Sequence, residues 1–260
     1  MKTFSQIRLS LAIVILLIGQ EAFANQDKDD QTNNYNYETI YDGTCDAFTC
    51  IRDISPALQE KLAANNQRII QVYLVRHAKP NVNKPFIATP KSTQRFLDNY
   101  DRFDIIPFDP QMVKVSIDTS HVIYCSTLHR SIQTAETIFS NTHEVQSFDV
   151  FREFQNKAVN APAFLPLPID IWRGLSRGSW MLGLNHGGIE SFKEARKRSK
   201  AAAAILAKTA ELQRTSVLVG HGMLNGYISK ELQRQGWVEI RKKGHINLGA
   251  TILIKVVSNN

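Results

Sequence analysis

The chain has 260 residues, with 31 Lys and Arg against 24 Asp and Glu, for a formal net charge of +7. That length suits one domain with a single core behind a short leader, and the modest basic excess fits an anionic small-molecule ligand. Nucleic-acid binding is disfavoured, because no aromatic–basic interleaving or known binding motif accompanies the charge.

In chain order, Lys2 and Arg8 flank a basic start, Leu9 to Ile18 is apolar, and Ala22-Phe23-Ala24 supplies small residues at cleavage positions. The pattern is that of a secretory signal peptide over 1–24, cut before Asn25. A membrane anchor would need about 20 apolar residues, more than this run contains. The mature chain is therefore expected in the periplasm or secreted, without stable membrane insertion. Losing Lys2, Arg8 and Glu21 with the signal leaves a formal charge of +6.

Residues 25–65 read as a polar leader ending in a short helix that opens at Ser55-Pro56 and runs to about Ala64. An oxidising compartment would allow Cys45 and Cys50 to pair; the sequence leaves open whether they do.

The chemistry begins after the apolar run Ile69 to Val75, where Arg76-His77 falls at the carboxyl end of a buried strand, the end at which open α/β sheets bind ligands. A histidine there can attack a phosphoryl group if cations neutralise the phosphate oxygens. Taken alone, Arg76 could equally cap the strand and pair with a surface carboxylate. A second short strand, Val122 to Cys125, ends at Ser126-Thr127, both good helix N-cap types, and Arg130 follows one turn into the helix. Cys125 reads as a small core residue, since no base partner follows it at useful spacing.

Glu153 stands between aromatics after the alternating stretch Val145 to Val150, with Glu136, Asp149 and Glu190 as rival carboxylates and Arg152 as a possible ion-pair partner. The segment Pro162 to Trp180 is richer in apolar and aromatic residues than a surface loop needs. Either an inserted helix packs there, or a lid shapes one side of a site. Ile189 to Arg214 reads as one long helix, with Lys193, Arg196, Lys197, Arg198 and Lys200 on a solvated face. Val217 to Val219 leads into Gly220-His221-Gly222, whose glycines would let backbone approach a ligand closely. Gly249 to Val257 closes the chain as a strand. No Cys-x-x-Cys or His-x-x-x-His pair occurs, so neither a metal nor another cofactor is expected. Strands alternating with helices imply an α/β domain over 66–260, a three-layer α/β/α sandwich around a mostly parallel central sheet.

Taken together, Arg76-His77, Ser126 with Arg130 and Thr134-Ala135, Glu153, and Gly220-His221-Gly222 resemble the histidine phosphatase superfamily, in its phosphoglycerate mutase-like branch, over roughly 67–257. The resemblance implies that His77 is the nucleophile that becomes phosphohistidine. It implies that Arg76, Arg130 and His221 hold the phosphoryl oxygens, with His221 as a further cation if protonated. Asn83, six positions after His77, matches an asparagine near the phosphate in mutase-like members. Glu153 corresponds to the general acid that protonates the leaving oxygen and later activates water.

Two departures stand out. Ala78-Lys79-Pro80 replaces the Gly-Glu common after Arg-His in mutases and is closer to the bacterial phosphohistidine phosphatases. The stretch 156–188 also lacks the Gly-x-Trp-Glu-Gly pattern that commonly follows the acid. The function implied is an exported, metal-independent phosphomonoesterase acting through a phosphohistidine on a small or surface-exposed phosphate ester. The alternatives are a phosphohistidine or phosphoprotein phosphatase, a phosphomutase, or a non-catalytic phosphate-ligand binding module. Physiological substrate and oligomeric state are not legible at this level.

Overall fold

A computed structural model describes residues 40–162 and 164–259. The signal-peptide expectation and the leader up to residue 39 lie outside the described residues. The first described strand, β1 (Thr49–Arg52), is followed by helix α1 (Pro56–Ala63) and the long strand β2 (Gln67–Arg76). Next come β3 (Ile87–Ala88), α2 (Pro90–Tyr100), β4 (Val113–Ser116), β5 (Ile123–Ser126) and α3 (His129–Phe139). The chain continues through β6 (Val145–Phe148), β7 (Leu167–Pro168), α4 (Ile169–Met181) and α5 (Phe192–Gln213). It closes with β8 (Thr215–Gly220), α6 (Gly222–Arg234), β9 (Val238–Lys242) and β10 (Ala250–Ser258).

Six strands form the central sheet in the order β6-β5-β8-β2-β10-β9. The first four are mutually parallel, and β10 runs antiparallel to both its neighbours. The alternation of side chains along β2 explains the layers, because successive residues face opposite sides of a strand. Ile69, Tyr73 and Val75 enter one core with Ala135 and Phe139 of α3. Ile70, Val72 and Leu74 enter the other, against Ala202 and Leu206 of α5 and Leu224 and Ile228 of α6. A helix layer therefore covers each face, giving the three-layer sandwich expected from the sequence.

The helix expected over Ile189 to Arg214 starts at Phe192 because Ser191 and Glu194 form a reciprocal capping box. Its buried alanines, among them Ala195, Ala202, Ala203 and Ala210, let its backbone lie close to the sheet. One of its basic residues departs from the solvated face. Arg198 turns inward, pairs with Glu190 and donates to the carbonyls of Val150 and Arg152.

The leader also differs from a detached polar tail. Ile40, Tyr41, Ile51 and Ile54 are buried in the same core as β2, and β1 pairs in parallel with β4. Cys45 and Cys50 form a disulfide at the entry to β1. Beside the sheet, α2, α4 and the short β3–β7 pair build a third, smaller core around Phe96, Ile169 and Trp172. The aromatic-rich segment therefore packs a helix, with the Trp172 indole donating to the Ala88 carbonyl. Phe164 stays 83% exposed beside it.

Candidate active site

The site is built where three parallel strands end. His77 follows the last residue of β2, and its backbone N–H donates to Gly220 at the end of β8. Arg130 lies in the first turn of α3, just after β5, and His221 sits between β8 and α6. Ser126 and Thr127 do not cap α3 as expected. Leu128 occupies the cap position, while the Ser126 hydroxyl accepts from the Leu128 N–H and Thr127 donates to Asp149.

The His77 imidazole is 3% exposed, with Nδ1 2.6 Å from the Ala78 carbonyl oxygen. A carbonyl can only accept, so Nδ1 carries the proton and Nε2 keeps its lone pair. Arg130 Nε donates to that Nε2 at 3.2 Å. Burial first, then Arg130, lowers the His77 pKa to about 3, which leaves the ring neutral at physiological pH. The Arg130 guanidinium is 2% exposed, lies over the Tyr100 ring and donates to Asp101 Oδ1 at 2.9 Å. Arg76 donates from Nη1 to the His245 carbonyl and leaves its buried Nε without a protein partner.

His221 is completely buried, with its ring centroid 5.1 Å from that of His77, and neither ring nitrogen has a protein partner. Its pKa is pushed well below the ordinary value, first by burial and then by Arg130. It is therefore a neutral imidazole beside His77, where the sequence allowed a cation on the opposite wall. Buried polar atoms without partners are rare in native structures and call for an explanation. Here Arg76 Nε and both His221 nitrogens lie around the same imidazole.

A cavity of about 460 Å³ opens over His77, with Arg76, Arg130 and Glu153 also in its lining. Of the four carboxylates weighed from sequence, only Glu153 lines it. The Glu153 carboxylate does not pair with Arg152, which instead faces Asp149. Glu153 Oε1 accepts from Phe154 N and Leu224 N, each at 3.0 Å, and Oε2 from Met223 N at 3.2 Å. It thus caps the N-terminus of α6. Two arginines hold its backbone: Arg198 from the preceding side, and Arg177 through the carbonyls of Phe154 and Gln155.

Asn83 is exposed and is not part of the cavity lining, so the fold does not bring it to the site. The glycines of Gly220-His221-Gly222 make room for protein groups. A Cβ at Gly220 would lie 2.6 Å from Asn225 Oδ1, and one at Gly222 would lie 3.4 Å from the Arg76 guanidinium carbon. Cys125 is buried in β5, and burial pushes its thiol up to about 12, which suits a core residue and leaves almost no thiolate.

Several lining residues had no signal in the sequence. Gln94, Asp98 and Asp101 come from α2 and its C-terminus, Arg173 and Arg177 from α4, and Lys157 from the connection before it. Periodicity on two amphipathic helices could have shown those on α2 and α4, and nothing local marks Lys157. Across the cavity, five cationic side chains face three carboxylates, a formal excess of two positive charges. A second cavity of about 470 Å³ lies at the other end of the sheet, beside Thr215 where β8 begins. The carboxyl ends of the strands are the ligand-binding ends in open α/β sheets.

The model of the histidine phosphatase superfamily (branch 1) matches residues 113–256, more than half of the chain. The chain belongs to that superfamily. The match includes Arg130, Glu153 and His221, whereas Arg76 and His77 precede it; of these five, all but His221, which lies buried against His77, line the cavity. Comparison with curated proteins gives no match. Among solved structures, a mycobacterial glucosyl-3-phosphoglycerate phosphatase is 18% identical over 64% of this chain and 80% of its own, with a TM-score of 0.38. A phosphoglycerate mutase from Bacillus anthracis is 14% identical over 75% of this chain and 93% of its own, with a TM-score of 0.43. A phosphoserine phosphatase mutant from Entamoeba histolytica is 16% identical over 72% of this chain and 95% of its own, with a TM-score of 0.37. These likenesses are distant, and the assignment to the superfamily rests on the family match.

Proposed function

We propose that the protein is a metal-independent phosphomonoesterase acting through a phosphohistidine on His77. The observation that carries this reading is the His77 ring itself. Its Nδ1 proton is fixed on a backbone carbonyl, and its Nε2 lone pair points to Arg130 in a cavity that Arg76 also lines. In this reading Nε2 attacks phosphorus as the ester P–O bond breaks, and the leaving oxygen takes a proton from Glu153. Water then attacks phosphorus, giving its proton to the same carboxylate, and the P–N bond breaks so that phosphate departs with the Nε2 lone pair of His77 restored. Arg76 and Arg130 stabilise charge on the equatorial oxygens, for which a planar guanidinium is well shaped.

The lining supports a small, polar leaving group, because amides and carboxylates (Gln94, Asp98, Asn156) alternate there with Arg173 and Lys157. Export to an oxidising compartment is supported by the Cys45–Cys50 bridge. The test is hydrolysis of p-nitrophenyl phosphate with EDTA present, paired with rapid quench using labelled substrate. Wild-type protein should turn over and yield an acid-labile, base-stable adduct, and His77→Ala should do neither. Undiminished turnover in His77→Ala would end the reading.

A further inference from the structure

We propose that Asn247 and Thr134 are positioning residues that hold the His77–Ala78 peptide and thereby fix the tautomer and aim of the nucleophile. The proposal deepens the function proposed above and rests on it for its kinetic arm.

Both polar ends of that one peptide unit are taken by side chains from distant parts of the chain. The carbonyl of His77 accepts from Asn247 Nδ2 at 2.8 Å, and the N–H of Ala78 donates to Thr134 Oγ1 at 2.9 Å. A peptide unit is planar, so two hydrogen bonds at opposite edges fix its orientation. The backbone torsions on either side of the plane, ψ of His77 and φ of Ala78, are then constrained. The next carbonyl, that of Ala78, is the acceptor for His77 Nδ1. Holding the plane thus places the acceptor that decides which ring nitrogen keeps its proton, as an oriented partner does for a histidine in general.

Thr134 also joins the nucleophile to the cation opposite it. Its hydroxyl donates to the Arg130 carbonyl at 2.6 Å, one helical turn back in α3, so its lone pairs are left for Ala78. His77 Nε2, Arg130, Thr134 and Ala78 therefore form a closed ring of contacts. One helix therefore sets the spacing between Arg130, which meets the imidazole, and Thr134, which holds the Ala78 N–H.

On the other side, the loop that carries Asn247 grips Arg76 as well. Leu248 N donates to the Arg76 carbonyl at 2.9 Å, Arg76 N donates to the Gly249 carbonyl at 3.0 Å, and the Arg76 guanidinium reaches the His245 carbonyl. Leu248 adopts a φ of 61°, a left-handed conformation uncommon for a residue with a bulky side chain. Strained backbone of this kind persists where its surroundings over-determine it, often at functional sites. Thr49 of β1 braces the same residue by donating to the Leu248 carbonyl at 2.8 Å.

The test uses Asn247→Ala, Thr134→Val and Thr134→Ser in the mature protein, with two independent readouts. The first is the ¹⁵N–¹H long-range NMR spectrum of His77, assigned by comparison with His77→Gln. Wild type should show a single neutral tautomer protonated at Nδ1, and Asn247→Ala and Thr134→Val should show a mixture with Nε2 protonated. The second is the single-turnover rate of His77 phosphorylation, which should fall on the order of 10²-fold in the same two variants, as misplacement of a reacting group does. Affinity for inorganic phosphate should stay close to wild type, because Arg76 and Arg130 are intact. Thr134→Ser keeps the hydroxyl and should restore both readouts. An unchanged tautomer in Asn247→Ala and Thr134→Val, or a phosphate affinity that falls in step with the rate, would overturn the proposal. The tautomer readout needs no turnover, so a wild type that forms no phosphohistidine would count against the proposed function and leave the positioning claim to stand or fall by NMR.

Discussion

The imidazoles of His77 and His221 lie 5.1 Å apart at a tilt of 58°, and burial followed by the charge of Arg130 lowers the pKa of both. Two neutral rings beside two arginines form a site that can accept negative charge and a proton together. A bound phosphate dianion favours the protonated imidazole, reversing the effect of the arginines. Binding of inorganic phosphate near pH 7.5 should therefore be accompanied by net proton uptake, visible by calorimetry in buffers of different ionisation enthalpy. His221→Gln should abolish most of it. Equal proton uptake in the wild type and in His221→Gln would mean that His221 stays neutral in the complex.

The same depressed pKa values govern stability. An unfolded histidine takes a proton near 6.5, whereas folded His77 resists protonation until about 3. The unfolded state then binds more protons between those limits, so the contribution is intact above about pH 6.5 and is lost as pH falls toward 3. Urea midpoints should drop between pH 7.5 and pH 5, and His221→Gln should flatten that slope. A wild-type midpoint that is flat over this interval would contradict the assignment.

Glu153 has a structural task that any catalytic test must separate. Its carboxylate accepts three backbone N–H groups, two of them from the first turn of α6. Glu153→Gln turns one acceptor into a donor facing a donor, and should cost about 1 to 2 kcal/mol of stability by thermal melting. If the carboxylate also protonates the leaving group, an alkyl phosphate should slow by roughly 10² to 10⁴ and p-nitrophenyl phosphate by much less. Equal slowing of both would reduce Glu153 to a helix cap. Asp98 and Asp101, in the same cavity, would then be the next acids to test.

Asp101 already occupies one edge of the Arg130 guanidinium. The pair is 2.9 Å apart, with the arginine buried and the aspartate 49% exposed. Asp101→Asn should free the guanidinium and tighten inorganic phosphate binding by up to about fivefold, equivalent to about 1 kcal/mol for a half-exposed pair. Weaker binding would show that Asp101 serves chiefly to orient Arg130.

The bridge between Cys45 and Cys50 closes a short loop at the start of β1. Chain entropy alone gives it about 2 kcal/mol, so reduction should lower the melting temperature by about 4 to 8 °C. Scanning calorimetry with and without reductant measures this, and alkylation of the unfolded but unreduced protein should label Cys125 alone. No shift on reduction would mean that β1 is held by pairing with β4 and by Thr49.

Legibility in the sequence followed the range of the interactions. The strand-to-turn motifs at Arg76-His77 and Gly220-His221-Gly222 were readable because each is a local pattern, a buried run broken by polar or glycine residues. The same holds for α5, whose capping box lies within four residues. The expected caps at Ser126 and Thr127 were displaced because Ser126 closes a local turn and Asp149 offers Thr127 a partner from beyond β6. Arg198 looked solvated because its partners, the carbonyls of Val150 and Arg152, are 48 and 46 residues away. The grip of residues 245–249 on Arg76 and His77 is made largely of backbone groups, which every residue possesses. Such contacts leave no mark on composition or periodicity.

β2 leads directly into His77, yet both of its partners in the sheet, β8 and β10, come from the final quarter of the chain, and Asn247 reaches His77 across 170 positions. A ribosome delivers Arg76 and His77 long before anything that can aim them. Contacts of such separation form late, after the entropy of closing the intervening loop has been overcome. For most of its synthesis the growing polypeptide therefore holds an imidazole without the Asn247 clamp. The clamp closes when the last hairpin docks beside the strand made first in the sheet.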